Sequence, residues 1–214
     1  MKYRLYMWDL DGTLTDPKIG ITKSVQYALA KFGIIVNDRD MLTPFIGPPL
    51  KESFQRFYAM TEAEAIQAVA YYREYFGTKG LYENEVYAGI EDILSHIQAQ
   101  GCINIVVTSK PTLYAEKIVA HFNLNRLFSR VIGSNMDLTM TDKGELIAYA
   151  LLQFPYDPSA CVMIGDREHD IIGAKKNGVD SIGVTWGYGT LDELEKVHVN
   201  AVAKSIKDLK SLFS

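Results

Sequence analysis

Cysteine is scarce in this sequence, since Cys102 and Cys161 are the two among 214 residues. Two cysteines could form one disulfide but no disulfide framework. Each stands next to a strongly apolar run, so we expect buried, reduced thiols. CxxC pairs and cysteine–histidine clusters are absent from the sequence, which argues against a zinc site.

Long hydrophobic runs are also missing. No segment approaches the roughly 20 apolar residues of a membrane span, and the N-terminal segment lacks the apolar stretch of a signal peptide. We therefore expect a cytoplasmic protein that does not contact a membrane. Hydrophobic residues make up 48% of the chain and charged residues 22%. This balance is typical of a soluble globular chain, and the length suits one domain with an insertion or two small domains.

An excess of positive charge is absent as well. The chain has 22 Lys and Arg residues against 26 Asp and Glu residues, for a net charge of −4. Because non-specific binding of nucleic acid depends on clustered lysine and arginine, this composition argues against a nucleic acid polymer as a partner. A small anionic ligand stays compatible, since a few local groups can bind it.

Secondary-structure patterns divide the chain into a helical block and an alternating part. From about residue 16 to residue 81 the apolar spacing predicts helices alone, and Thr61 with Glu64 forms a capping-box pattern. Elsewhere short apolar strands alternate with helices, starting with a strand at Tyr3–Trp8. This alternation predicts an α/β fold with a parallel sheet and right-handed crossovers. We expect residues 1–15 and 82–214 to form this core, with residues 16–81 as a helical insertion.

The most informative pattern is an acidic pair at the end of the first predicted strand. Asp9 and Asp11 lie two residues apart, so their side chains point to the same side while the chain is extended. Two like charges at a sheet edge are costly unless a cation lies between them. For an isolated pair of this kind, a helix cap beside a solvated acidic turn residue remains an alternative.

Polar residues also mark three later junctions between strand and helix. Thr108 and Ser109 follow a strand, where a hydroxyl and free N–H groups suit a phosphate oxygen. Lys143 begins a helix, where a cation opposes the helix dipole. Asp166 and Asp170 follow another apolar strand and could bind a metal ion. Taken singly, these residues are also typical of helix caps and solvated surface positions.

All four patterns fall at the carboxyl ends of predicted parallel strands, where open α/β sheets bind ligands. An acidic pair, a hydroxyl, a lysine and a second acidic pair in this order resemble the haloacid dehalogenase (HAD) superfamily, and within it the phosphoglycolate-phosphatase-like branch. The segments Phe45–Leu50 and Thr185–Gly189 resemble this branch too, so the resemblance covers essentially the whole chain. It implies a Rossmann-like core of five parallel strands with the first strand central, and a small all-helical cap formed by residues 16–81.

The resemblance also implies a mechanism. Asp9 would be the nucleophile that forms an aspartyl phosphate, and Asp11 would act as general acid and then as general base. Mg²⁺ would bind to Asp9, to the backbone carbonyl of Asp11 and to Asp166, while Asp170 would hold a metal-bound water. An acid at position 11 favours a phosphatase or a phosphomutase over a dehalogenase.

Substrate contacts follow from the same resemblance. Thr108, the Ser109 N–H and Lys143 would neutralise charge on the transferring phosphoryl group. The substrate would be a small phosphorylated metabolite of the phosphoglycolate type. Three alternatives stay open: a 5'-nucleotidase acting on nucleoside monophosphates, a phosphomutase similar to β-phosphoglucomutase, and a binding module on a decayed core.

Substrate choice in this branch lies with the cap. Lys23, Lys51 and Arg56 are the candidates for specificity, because they flank the cap segments nearest the catalytic loops in chain order. The segments 15–18 and 77–83 contain turn-forming residues and are predicted hinges. We expect the chain to act as a monomer or a homodimer.

Overall fold

The computed structural model describes residues 2–213. The chain divides into two compact units. The first unit is made of the residues up to Asp16 together with those from Val86 onwards, and the second is Pro17–Glu85. Each unit therefore has its own core and is described by itself.

The first unit is built on a parallel sheet of six strands. These strands are β1 (Leu5–Trp8), β4 (Ile103–Pro111), β5 (Arg130–Ser134), β6 (Cys161–Gly165), β7 (Asp180–Val184) and β8 (Ala201–Ala203). They lie in the order β5-β4-β1-β6-β7-β8, and every neighbouring pair is parallel. Two short strands, β2 (Thr15–Asp16) and β3 (Glu85–Val86), lie where the chain passes from one unit to the other.

The sheet confirms the predicted parallel α/β fold and corrects one detail of it. The expected number of strands was five, but β8 pairs with β7 and extends the sheet to six. The first strand is flanked by β4 and β6, as the resemblance implied. Nine α-helices are described: α1 (Lys18–Lys31), α2 (Leu50–Tyr58), α3 (Glu62–Tyr75), α4 (Ile90–Ala99), α5 (Thr112–His121), α6 (Lys143–Gln153), α7 (Glu168–Lys176), α8 (Leu191–Lys196) and α9 (Ile206–Leu212).

Strand register places the ends of the central strands at one edge. Trp8 lies opposite Val106 of β4 and opposite Ile164 of β6. Because the three strands are parallel, the residues that follow these positions leave the sheet at the same edge. The first, second and fourth sequence patterns are therefore neighbours in space.

Side chains of β1 alternate between two buried layers. Leu5 and Met7 belong to a hydrophobic cluster that includes Leu146 of α6 and Ala174 of α7. On the other face the ring of Tyr6 packs edge-on against Phe213, with centroids 4.9 Å apart. All four residues of β1 are fully buried, so the strand is a fixed support for the residues that follow it.

The second unit, Pro17–Glu85, is built mainly of helices, and the helical insertion predicted at residues 16–81 falls almost wholly within it. A 3₁₀ segment, Arg39–Phe45, lies between α1 and α2, and α3 continues into a single π-helical turn, Phe76–Gly80. The capping box is confirmed, because the Thr61 hydroxyl accepts from the Glu64 N–H at 3.3 Å and the Glu64 carboxylate accepts from the Thr61 N–H at 2.8 Å. Phe45 packs against Phe54 with ring centroids 4.9 Å apart, so this unit has an aromatic core.

The two cysteines are buried free thiols, which confirms the sequence prediction. The Cys102 Sγ lies 3.4 Å from the Tyr3 carbonyl oxygen, and the Cys161 Sγ lies 3.4 Å from the Asp157 carbonyl oxygen. Among residues 2–213, the helices are all too short or too polar to cross a membrane.

Candidate active site

The acidic pair after β1 is buried. Asp9 is 4% exposed and Asp11 is 7% exposed. The Asp9 N–H donates to the Ile164 carbonyl at 2.9 Å and thereby continues the ladder between β1 and β6. Gly12 has a φ of 85°, and a Cβ there would lie 2.4 Å from an Asp166 carboxylate oxygen. The turn thus needs glycine both for its backbone conformation and for the approach of the second acidic motif.

Lys143 joins the first and fourth motifs. It is the first residue of α6, and its Nζ lies 2.8 Å from Oδ1 of Asp9 and 2.8 Å from Oδ1 of Asp170. The same Nζ donates to the Val107 carbonyl at 2.9 Å, next to the hydroxyl motif. Burial lowers the pKa of Lys143, but the charges of Asp170 and Asp9 outweigh burial and raise it above its ordinary value. Lys143 therefore stays cationic.

The second acidic pair is held by three hydrogen bonds. Asp166 accepts from the Thr13 hydroxyl at 3.2 Å and from the Tyr188 N–H at 2.7 Å. Asp170 accepts from the Arg167 N–H at 3.1 Å, so its carboxylate turns back toward the start of α7. These contacts fix the directions of both carboxylates.

Both carboxyl groups are also hard to ionise in the absence of a further cation. Burial, and then the negative charges of Asp9 and Asp170, raise the pKa of Asp166 to about 8. Burial raises the pKa of Asp170 to about 6, with Lys143 opposing the rise. The site therefore carries more negative charge than its own lysines balance.

The buried acidic cluster fits a divalent cation. Asp9, Asp166 and Asp170 each offer one carboxylate oxygen, and these three oxygens lie within 4.8 Å of one another. If all four buried aspartates were ionised, including Asp11, the two buried lysines would leave two negative charges, which one divalent cation would balance. Oxygen ligands of this kind are those that Mg²⁺ prefers. The carboxylates that converge include Asp170, for which the sequence predicted the role of binding a metal-bound water.

The predicted phosphate-binding residues follow β4. Thr108 is 2% exposed, and its hydroxyl accepts from the Lys110 N–H at 3.3 Å. The Ser109 hydroxyl donates to the Thr141 carbonyl at 3.0 Å, so its side chain connects this motif to the segment before Lys143. Phosphate binding by Thr108, by the Ser109 N–H and by Lys143 stays a prediction.

Lys110 is a residue of the site to which the sequence gave no role. Its Nζ lies 2.7 Å from Oδ2 of Asp11, and both side chains are at least nine-tenths buried. The predicted strand ended at Val107, but β4 continues to Pro111 with a shift of register after Thr108. The position of Lys110 directly after the Thr108–Ser109 motif was the one available signal in the sequence. A lysine at the end of a strand is ordinarily expected in solvent, so its burial was not predicted.

The segment Trp186–Gly189 supports the site from a third direction. The Trp186 Nε1–H donates to the Thr13 carbonyl at 3.1 Å. Tyr188 donates its N–H to Asp166 and its hydroxyl to Asp16. This segment, which the family resemblance singled out, therefore contacts the loop after β1 at Thr13 and Asp16 and the second acidic motif at Asp166.

The three specificity candidates all lie in the second unit. The Lys23 Nζ lies 2.5 Å from the Glu83 carboxylate, and the Lys51 Nζ lies 3.1 Å from that of Glu62. The Arg56 guanidinium lies 5.5 Å from the ring centroid of Phe57. A role of these residues in substrate choice stays a prediction.

Comparisons with known proteins agree with this geometry. The family model described as haloacid dehalogenase-like hydrolase matches residues 6–184. A 5'-nucleotidase of Pseudomonas aeruginosa is 47% identical over 91% of this chain and 88% of its own length. The tyrosine-protein kinase PtkA of Mycobacterium tuberculosis is 34% identical over 97% of this chain and 71% of its own length. A solved structure described as a predicted phosphatase from Clostridium acetobutylicum is 44% identical, with a TM-score of 0.97 over 100% of this chain and 99% of that one.

The family match spans the first and fourth acidic motifs and the lysine between them. Similarity extends over nearly the full length of relatives that are described as a 5'-nucleotidase and as a predicted phosphatase. The chain therefore belongs to the haloacid dehalogenase-like hydrolases.

Proposed function

We propose that this hydrolase is a Mg²⁺-dependent phosphatase, which hydrolyses phosphomonoesters of small metabolites through an aspartyl phosphate on Asp9. The observation that carries the proposal is the contact of Lys143 with Asp9 and Asp170, next to the cluster that Asp166 completes. A carboxylate can approach a phosphate dianion if cations offset their repulsion, and this cluster offers one lysine and a cation site.

The proposed reaction has two steps, in which Asp9 carries the phosphoryl group and Asp11 transfers the protons. In the first, a carboxylate oxygen of Asp9 bonds to phosphorus, the bond from phosphorus to the ester oxygen breaks, and Asp11 donates a proton to the leaving oxygen. In the second, Asp11 takes a proton from water, whose oxygen bonds to phosphorus and releases Asp9. The products are the alcohol and inorganic phosphate, and Asp11 is protonated again.

Charge on the transferring group is offset by fixed groups. Asp9, Asp166 and Asp170 would hold Mg²⁺, with the Asp11 carbonyl as a further ligand, and the ion would polarise a phosphate oxygen. Lys143 keeps its positive charge beside Asp9, where negative charge accumulates. Phosphoryl transfer depends mostly on such positioning and electrostatics.

Nucleoside 5'-monophosphates are the substrate class that we place first. The support is the 47% identity to a relative named 5'-nucleotidase, over nearly the full length of both chains. The phosphoglycolate-type substrate predicted from the sequence remains the alternative. A phosphoglycolate phosphatase of Haemophilus influenzae is 26% identical over 87% of this chain, and the segment Phe45–Leu50 resembles members of both kinds. Both classes share the phosphomonoester that Asp9 would attack.

A phosphate-release assay tests the proposal. The purified chain is incubated with Mg²⁺ and, in separate wells, nucleoside 5'-monophosphates, phosphoglycolate and hexose 1-phosphate. We expect inorganic phosphate from the nucleotides, loss of turnover after removal of metal with a chelator, and no turnover by Asp9→Asn. An Asp9→Asn variant with near-normal activity contradicts the mechanism, and conversion of hexose 1-phosphate to hexose 6-phosphate identifies a mutase instead.

A further inference from the structure

The two acidic residues after β1 each have their own buried lysine. Lys143 contacts Asp9, and the Lys110 Nζ lies 2.7 Å from Oδ2 of Asp11. The other oxygen of Asp11, Oδ1, is buried and has no hydrogen-bond partner among residues 2–213. The two oxygens of Asp11 therefore differ sharply in their surroundings.

We propose that Lys110 is a positioning residue that holds Asp11 by Oδ2 and leaves Oδ1 as the oxygen that exchanges a proton with the ester oxygen and with water. This inference rests on the role of Asp11 in the proposed function. A lysine ammonium donates hydrogen bonds and accepts none, so it can contact only an oxygen with a free lone pair. Oδ2 meets this requirement in the ionised carboxylate and in the carboxylic acid whose proton lies on Oδ1. Lys110 therefore keeps the same contact through both steps.

The backbone of Lys110 is fixed on both sides. Its N–H donates to the Thr108 hydroxyl at 3.3 Å, and the preceding carbonyl, of Ser109, accepts from the Ser134 hydroxyl at 2.8 Å. A Cβ on Gly133 would lie 2.3 Å from the Lys110 carbonyl oxygen, so β5 passes close beside it. A lysine anchored in this way has few alternative directions, which is what a group that orients another side chain requires.

The leaving-group dependence of Lys110→Met tests the proposal. Proton donation matters more for a strongly basic alkoxide, as in a nucleoside 5'-monophosphate, than for the weakly basic phenolate of p-nitrophenyl phosphate. We expect kcat for the nucleotide to fall by about 10- to 100-fold with KM little changed, and kcat for p-nitrophenyl phosphate to fall much less. Asp11→Asn should show the same selective loss. Lys196→Met, at an exposed lysine paired with Asp192, is the matched control.

Three results overturn the inference. Equal losses on both substrates would point to a general structural role, and a raised KM with unchanged kcat would point to direct contact with substrate. A wild-type chain that hydrolyses neither ester overturns the proposed function itself, and the inference with it. If either of the first two results is obtained while the wild type is active, the proposed function stands and the role of Lys110 does not.

A second comparison works even if Lys110→Met alone does not fold. Asp11→Asn and the double variant Asp11→Asn/Lys110→Met are compared with p-nitrophenyl phosphate as substrate. Because the double variant removes both charges of the pair, it leaves no unpaired ion in the interior. With no proton to position, loss of Lys110 should change kcat by less than about twofold in this background. A further large loss contradicts the proposal.

Discussion

Burial gives the four aspartates of the site different properties at the scale of single residues. Asp9 and Asp11 each contact a lysine, whereas Asp166 accepts from a hydroxyl and a backbone N–H. Burial raises the pKa of Asp11, and the nearby charge of Lys110 opposes this rise. A carboxyl group with a raised pKa is a better proton donor near neutral pH than an ordinary aspartic acid.

The first prediction at this scale concerns Asp11. Asparagine in its place keeps the size of the side chain but cannot transfer a proton. We expect Asp11→Asn to lower kcat for an alkyl phosphate by roughly 10²–10⁴-fold, the usual range for loss of a general acid. Steady-state hydrolysis of a nucleoside monophosphate measures this effect, and circular dichroism checks the fold. Unchanged kcat in a folded variant would remove Asp11 from the mechanism.

Helix packing sets the position of Lys143 at the scale of elements. A Cβ on Gly173 of α7 would lie 2.9 Å from the Gly144 nitrogen and 3.1 Å from the Lys143 Cβ. The helices α6 and α7 thus meet so closely at Gly173 that a larger residue there would require a shift of the α6 backbone. This contact between the helices places the Lys143 ammonium beside the Asp170 carboxylate. It thereby joins the lysine motif to the second acidic motif.

Gly173→Ala is therefore expected to harm activity, although alanine favours a helix. The added methyl must push the start of α6 away and move the Lys143 ammonium off Asp9. We expect kcat to fall at least about tenfold, since small displacements of catalytic groups are costly. Lys175→Ala, at an exposed position of the same helix, is the control and should keep full activity. Equal kcat values for the two variants would show that the helix contact does not position Lys143.

Sequence patterns predict elements better than they predict contacts between them. The polar residues at the predicted strand ends correctly indicated one edge of the sheet as the site, because parallel strands bring their carboxyl ends together. Lys110 was missed, since its place depends on β4 continuing past Val107 and shifting register. The lysine–aspartate contact between residues 143 and 9 spans 134 positions and depends on the close approach at Gly173, which hydrophobic periodicity does not encode.

Electrostatics of the site bears on the stability of the whole molecule. The pKa of Asp166 is raised to about 8, whereas an unfolded aspartate has a pKa of about 3.9. Between these values the folded state binds more protons than the unfolded state. In the metal-free chain, the contribution of Asp166 to the free energy of unfolding is therefore fully present below about pH 4. This contribution is lost as the pH rises toward 8.

Mg²⁺ is expected to reverse this loss, because it replaces the proton on Asp166. Thermal unfolding with and without Mg²⁺ at several pH values measures the effect. We expect the increase in Tm on adding Mg²⁺ to grow from about pH 5 to about pH 8, with each kcal/mol worth about 2–4 °C in a chain of this size. Asp166→Asn, which is neutral throughout, should flatten the dependence. A Tm increase that shrinks as pH rises would contradict this account.

Tyr188 has a consequence for how the molecule transmits motion. Its backbone N–H holds Asp166, and its phenol holds Asp16, the last residue before the chain leaves the first unit. Tyr188 thus contacts both a carboxylate of the active site and Asp16, after which the chain enters the second unit. A shift of the chain at that exit point would therefore reach the carboxylate through a single residue, by way of its phenol and its backbone N–H.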